Sequence, residues 1–263
     1  MNRRWKCGFA ALVTTALFSI PALGAQVVLN ETPLPSNQGW VADGTSYVTL
    51  RALAEHTGYQ LSWDGKQAIL QGEDLLLQAQ PGALYIRFNQ RALYVPEGIQ
   101  IHEGKAVLPL RTAVEALGGS LIWDGSAARW TFSQVAPAKA AYPEEDLYWL
   151  ARVISAESRG EPLIGQIAVG NVVLNRAADR QFPNTIKEVV FDRKNGVQFE
   201  PVSNGTIYQE PTETSLLAAK LCLEGADVVG DCLYFYAPAL SSGAWISGNR
   251  TYYTTIGCHK FYL

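Results

Sequence analysis

The chain repeats itself. Tyr47-Val48-Thr49-Leu50-Arg51-Ala52-Leu53-Ala54-Glu55, followed by Gly58 and Leu61-Ser62-Trp63-Asp64-Gly65, returns sixty residues later. The second copy is Val107-Leu108-Pro109-Leu110-Arg111-Thr112-Ala113-Val114-Glu115, then Gly118 and Leu121-Ile122-Trp123-Asp124-Gly125. Leu50/Leu110, Arg51/Arg111, Trp63/Trp123 and the Asp-Gly pairs align at one offset, which marks a duplicated supersecondary unit. Each copy reads as a short strand, a two-turn amphipathic helix stopped by glycine, and a hairpin turning at Asp-Gly. Ala68–Leu70, Leu75–Gln78, Leu84–Phe88 and Ala92–Val95 read as further short strands. Tryptophans at equivalent repeat positions are expected in the core rather than stacked on sugars. His56 and His102 have no spacing that suits a transition metal.

A chain of 263 residues has room for one large or two modest domains. Residues 1–25 have the layout of a secretory signal peptide. Arg3, Arg4 and Lys6 precede the apolar run Phe9 to Ile20, and small residues up to Ala25 follow. The run is shorter than the ~20 residues of a membrane span, so the expected mature protein is exported and not an integral membrane protein. Cleavage removes three cations and takes the formal net charge from −3 to −6. With no basic run elsewhere, nucleic acid is not an expected partner. The repeat fills 26–133, and an Ala/Pro-rich linker without periodicity spans 134–142.

From residue 143 to 263 the pattern is mainly helical. Glu144, Glu145 and Asp146 suit a helix first turn, and Leu147, Leu150, Ala151 and Ile154 recur with helical spacing. Glu157 falls three residues beyond Ile154, beside the buried stripe, before Gly160 and Pro162 break the chain. Burial raises a carboxyl pKa, and a glutamic acid kept protonated near neutral pH can act as a general acid. A nearly all-apolar helix opens at Pro162. A capping box at Thr185–Glu188 starts a short helix through Val190. Residues 191–211 read as loop, Thr212–Glu224 as helix, and Cys232–Ala237 and Thr255–Tyr262 as strands. After signal removal Cys222, Cys232 and Cys258 remain; the first two, at a helix end and a strand start, are the expected disulfide pair.

Two resemblances rest on these residues. Residues 26–133, through the repeated Leu-Arg…Gly…Trp-Asp-Gly pattern, resemble the copper amine oxidase N-terminal-like stalk domain, which implies a spacer or wall-adhesion module. From Leu147 onward the chain resembles the SleB/CwlJ cell wall hydrolase family, the spore cortex-lytic type. The matching segments include Ala156-Glu157-Ser158-Arg159-Gly160-Glu161-Pro162, Gly165 to Arg176, Phe182-Pro183-Asn184-Thr185-Ile186, Gln198-Phe199, Leu233 to Pro238, Trp245-Ile246 and Ile256-Gly257…His259…Phe261. Ala237 stands where that family often carries asparagine, and the repeat unit stands where it often carries a peptidoglycan-binding module. The resemblance implies a lysozyme/lytic-transglycosylase-like fold, cleavage of peptidoglycan glycan strands in the cell wall or spore cortex, and Glu157 as the acid. The expected fold class is therefore α+β, a duplicated small α+β stalk followed by a mainly helical catalytic domain with a small β-sheet.

A sugar site needs aromatic platforms and polar donors. Phe199, Tyr234, Tyr236 and Trp245 offer the former, and Arg159, Asn175 and Gln198 the latter. Tyr234 and Tyr236 share one strand face, with Phe235 on the other. Glu161 is the rival acid, but it lies just before a helix N-terminus, where the dipole favours its ionised form. No metal or organic cofactor is implied, since His259 is the sole histidine after residue 143. The other readings are a non-catalytic wall-binding protein and a Cys/His wall peptidase.

Overall fold

In this computed structural model residues 25–194 and 198–263 are described, so the expected signal segment lies, but for Ala25, outside the described residues. The N-terminal half runs β1 (Gln26–Leu29), β2 (Thr32–Pro33), β3 (Gly39–Ala42), β4 (Thr45–Thr49), α1 (Leu50–Thr57), β5 (Gln60–Trp63), β6 (Ala68–Gln71), β7 (Leu76–Ala79), β8 (Tyr85–Phe88) and β9 (Arg91–Tyr94). It continues through β10 (Gln100–His102), β11 (Lys105–Pro109), α2 (Leu110–Leu117), β12 (Ser120–Trp123) and β13 (Ala127–Thr131). Both copies thus adopt the strand–helix–hairpin form. Thr49 caps α1 by accepting from the Ala52 N–H at 3.1 Å. Gly58 ends the helix with φ 73°, a left-handed conformation glycine adopts without strain.

The two copies meet through β4 and β11. These strands pair antiparallel with Val48 opposite Leu108, and with Thr49 opposite Val107 and Tyr47 opposite Pro109. Val48 and Leu108 are themselves repeat equivalents, so a local twofold relates the copies about that pair. The sheet order β10-β11-β4-β3 has the same symmetry. It breaks outside: β5–β9 form a five-stranded antiparallel meander, whereas β12 and β13 are completed by β1, parallel to β13, and β2. Leu50, Leu53, Leu108, Leu110, Leu117 and Trp130 are buried between these layers, each large apolar side chain contributing roughly 1.5–3 kcal/mol of transfer free energy.

Trp63 and Trp123 correct an expectation. Each is 54% exposed. They lie on β5 and β12, the edge strands of their sheets, and their cross-strand partners are the small, buried Ala68 and Ala128. The core place is taken instead by Trp130, whose Nε1 donates to the Gly118 carbonyl at 2.8 Å.

The second half contains α3 (Glu144–Ser158), α4 (Leu163–Ala178), α5 (Ile186–Phe191), α6 (Glu200–Asn204), a 3-10 turn (Thr206–Tyr208), α7 (Glu213–Leu223), β14 (Tyr234–Tyr236), α8 (Ala244–Asn249), β15 (Tyr252–Ile256) and β16 (His259–Tyr262). Apolar residues on most faces of α4 make it central, with Ile167, Ala168, Val169, Val172 and Val173 all fully buried. Gly170 lets its neighbours close in, because a Cβ there would lie 2.7 Å from the Cys222 sulfur and 2.8 Å from Ile154 Cδ1. The capping box of α5 forms as expected, the Glu188 N–H donating to Thr185 Oγ1 at 3.2 Å. Two readings change. Residues 191–211 hold α6 and the 3-10 turn, single turns too short to show a periodic pattern. The terminal stretch is a hairpin, β15–β16, turning at Gly257-Cys258, in a sheet ordered β14-β16-β15. Helix α8 was not anticipated. Among the described residues no helix is long and apolar enough to cross a membrane.

The halves are joined by more than chain. Arg91 of β9 grips Glu224 with two hydrogen bonds, Nε to Oε1 at 2.7 Å and Nη2 to Oε2, and its Nη1 donates to the Ala138 carbonyl at 3.0 Å. Lys220 of α7 reaches the Gln90 carbonyl at 2.8 Å, and Ala92 packs into the helical core. The Ala/Pro-rich stretch has no helix or strand, yet Val135 packs on the first core and the Ala136 N–H donates to the Leu117 carbonyl.

The expected disulfide does not form. Among the described residues, Cys222, Cys232 and Cys258 are all free. Cys222 points into the α3–α4–α7 packing and donates to the Ile167 carbonyl at 3.4 Å, while Cys232 is buried in a separate cluster with Val229 and Phe261. Iodoacetamide should therefore label Cys258 in the native protein, and Cys222 and Cys232 only after denaturation without reductant, as read by peptide mass spectrometry.

Candidate active site

Glu157 occupies the last turn of α3, half-buried, where the helix closes with Ser158 Oγ donating to the Ile154 carbonyl at 2.8 Å. Burial pushes its carboxyl up to about 7; the Glu200 carboxylate adds to the rise and Arg176 opposes it. These three groups come from α3, α6 and the last turn of α4.

Arg176 is the anchor, only 6% exposed. Its Nε donates to the Leu233 carbonyl at 2.8 Å and its Nη1 to Gln198 Oε1 at 3.5 Å. The guanidinium lies 5.0 Å from the Phe182 ring centre, 5.4 Å from Phe199 and 5.5 Å from Tyr234. Burial lowers its pKa to about 10, so it stays cationic at neutral pH. Beyond it an aromatic wall continues outward. Arg250 Nη2 donates to the Tyr234 hydroxyl at 2.8 Å, and its guanidinium lies 4.4 Å from the Tyr234 ring and 5.3 Å from Trp245. Trp245, on α8, is 58% exposed and 5.8 Å from Tyr234. A carboxyl that titrates near neutral pH, a fixed cation and an open aromatic face are thus on one side of the molecule's helical half.

Residues 160–262 match the family model described as Cell Wall Hydrolase, and residues 27–131 match Copper amine oxidase N-terminal domain. Glu157 lies three residues ahead of the first range. A spore cortex-lytic enzyme of Bacillus cereus is 38% identical over 120 residues, 46% of this chain and 45% of that protein. The chain thus spans about half the length of the spore cortex-lytic relatives it matches. The cell wall hydrolase CwlJ of Oceanobacillus iheyensis is 31% identical over 101 residues, covering 36% of this chain and 70% of that protein. The chain belongs to the cell wall hydrolase family. Among solved structures, the catalytic domain of a germination-specific lytic transglycosylase, SleB from Bacillus anthracis, is 36% identical, covering 48% of this chain and 100% of that one, with a TM-score of 0.44.

The residues expected to meet substrate separate into groups. Gln198, Tyr234 and Trp245 adjoin Arg176 or its aromatic neighbours, as above. Arg159 is exposed, its Nε donating to the Ser155 carbonyl and its Nη2 to Gln209 Oε1, both at 3.2 Å. Tyr236 stacks on Tyr262 with ring centres 5.8 Å apart. Phe235 packs the other way, against His259 and Phe261. Two of the expected residues are engaged within the fold. Asn175 spends its amide on the Gly230 and Cys232 carbonyls, at 2.6 and 3.0 Å, and so fastens a loop. Phe199 is 2% exposed and lies beneath the site as support for Arg176. Arg176 and Glu200 were missed as site residues. A cation ending an otherwise apolar helix was the available signal for the first; nothing local marks the second.

The rival acid is otherwise engaged. Glu161 Oε2 accepts the Cys258 N–H at 2.9 Å and rests against Gly257, where φ is 58° and any Cβ would strike it. Glu161 thus fixes the β15–β16 turn. Its Oε1 lies 3.9 Å from Nδ1 of His259, which is 7% exposed and whose basicity burial lowers. Burial also raises the Cys222 thiol and takes Cys232 to about 11, and Glu161 raises Cys258. Thiolate is scarce at all three, which argues against a cysteine nucleophile.

The raised carboxyl has a stability consequence. In the fold Glu157 favours its protonated form, so it costs nothing below its unfolded value near 4.5, and the cost grows as pH rises to about 7. Glu157→Gln should match the parent's stability at pH 4 and exceed it by about 2–3 kcal/mol at pH 8, read by urea unfolding at the two pH values.

Proposed function

We propose that this protein cleaves the glycan strands of peptidoglycan at bonds following N-acetylmuramic acid, with Glu157 as general acid. The observation that carries the reading is the Glu157 carboxyl, held near pKa 7 beside a buried cation. Membership of the cell wall hydrolase family and the names of the spore cortex-lytic relatives support it. The protonated carboxyl donates to the glycosidic oxygen as the bond to the anomeric carbon breaks. The resulting carboxylate then accepts the proton of the muramic 6-hydroxyl as that oxygen bonds to the anomeric carbon, closing an anhydro ring and restoring the acid. An internal nucleophile needs no second carboxylate. Arg176 remains cationic throughout and stabilises the carboxylate formed midway.

A hydrolytic second reading is favoured by Glu200, whose charge acts on Glu157. Glu200 would there take a proton from water attacking the same carbon. The site of action under either reading is the envelope, wall or spore cortex, reached by export.

Glu157→Gln should lower turnover of purified peptidoglycan ~10²–10⁴-fold while wall binding persists; undiminished lysis would refute the acid, and loss of binding with lysis would not isolate it. The parent's rate should fall as pH rises through about 7, because the acid loses its proton. Mass spectrometry of the products separates the routes: muropeptides lighter by one water for the intramolecular route, reducing ends sensitive to Glu200→Gln for the hydrolytic one.

A further inference from the structure

The local twofold of the N-terminal half produces two matching grooves. Arg51, Leu61 and Trp63 with Gly104 line one of about 450 Å³. Their repeat equivalents Arg111, Leu121 and Trp123 with Gly44 line another of about 330 Å³. Each groove is completed by the β-hairpin turn of the opposite copy, so neither exists in a single repeat. Both volumes lie in the ≈300–1,000 Å³ range of ligand pockets.

Three features of the pair run against what folding alone favours. Each tryptophan leaves 54% of its surface in water, although an exposed indole contributes little to stability. Each arginine is exposed in the first turn of a helix, where the dipole disfavours a cation by about 0.3–1 kcal/mol. Neither arginine is in a salt bridge among the described residues, though Arg111 acts on Glu115 one turn along. The backbone next to each indole is also fixed. Asp64 Oδ1 accepts the N–H groups of Lys66 and Gln67, and Asp124 Oδ1 those of Ser126 and Ala127, all at 2.8–2.9 Å, which fixes both hairpin turns next to the tryptophans. Breaking a local preference in the same way at both symmetry-related positions is the pattern of a binding site.

We infer that the two grooves are carbohydrate-binding subsites for peptidoglycan glycan, each seating a sugar face on Trp63 or Trp123 and a carboxylate of the appended groups on Arg51 or Arg111. The choice of polymer rests on the function proposed above. The chemistry is that of the grooves: a flat apolar plate for the C–H face of a pyranose, and a cation for an acidic substituent. A glycan strand has direction, and twofold-related grooves present opposite directions to it, so each groove takes its own strand segment. Binding to an insoluble sacculus is therefore bivalent, and losing one groove removes avidity while losing both removes adhesion.

The test uses the full mature chain carrying Glu157→Gln, so that sacculi stay whole, and insoluble peptidoglycan freed of phosphate polymers. Trp63→Ala and Trp123→Ala should each weaken binding at least tenfold, and the double variant at least a hundredfold, with unchanged thermal unfolding because both side chains are exposed. Arg51→Gln with Arg111→Gln should weaken binding and flatten its salt dependence. With Glu157 restored, the Trp63→Ala, Trp123→Ala chain should cleave short soluble glycan fragments at the parent rate, so failure of the groove reading and failure of the catalytic reading give different results. Unchanged sacculus binding by the folded double variant would overturn the inference. So would binding confined to sacculi that retain their phosphate polymers, which would assign the grooves to a phosphodiester chain instead.

Discussion

A guanidinium buried under a carboxyl group governs the helical half. Removing Arg176 from water carries a desolvation cost of several kcal/mol, offset by the Leu233 carbonyl, Gln198 and three aromatic rings, each ring worth roughly 0.5–2 kcal/mol. Those partners come from widely separated stretches. The central helix can present Arg176 only because Asn171 and Asn175, one turn apart on the same helix, tie down the 226–232 loop through the Ala226, Gly230 and Cys232 carbonyls and the Val228 N–H. The carboxyl of Glu157 then experiences two opposed influences: low polarity and Glu200, which favour the neutral acid, and Arg176, which favours the anion. The first pair prevails, so the group changes charge near neutral pH, where proton donation is most useful.

Much of this was readable from the chain. Helical spacing through Leu147, Leu150, Ala151 and Ile154 located α3 and put Glu157 at its end. The mostly apolar faces of α4 announced a central helix, and Thr185–Glu188 announced a cap. These are local signals and local physics honours them. Arg176 and Glu200 were obscure because their significance lies in which other segments fold against them. The β15–β16 turn was missed for the same reason. Gly257 is required there by Glu161, ninety-six residues earlier, and no window along the sequence contains both. The cysteines show the limit of reasoning from element ends: a helix end and a strand start gave a plausible pair, but Cys222 fills the notch above Gly170 and Cys232 belongs to another cluster.

The tryptophans are the most instructive reversal. Repetition of a large apolar residue looks like a core requirement, and Trp130 answers to that description. Trp63 and Trp123 repeat at a different kind of position, on edge strands that have no neighbour on one side. Equivalence under a duplication therefore says that two positions share an environment, and says nothing of whether that environment is inside.

Symmetry also bears on how the halves cooperate. A twofold-symmetric platform cannot by itself orient a directional polymer, since it presents either polarity equally. The structure breaks that equality in one place. Only the first repeat is extended by the β7–β9 meander, and β9 carries Arg91, whose grip on Glu224 holds the helical half. The second repeat is completed instead by β1 and β2, with no strand equivalent to β9 among the described residues. The helical half that carries Glu157 is thus attached to one side of a twofold-related pair. The asymmetry between the two halves of the repeat arises where the duplication fails to repeat.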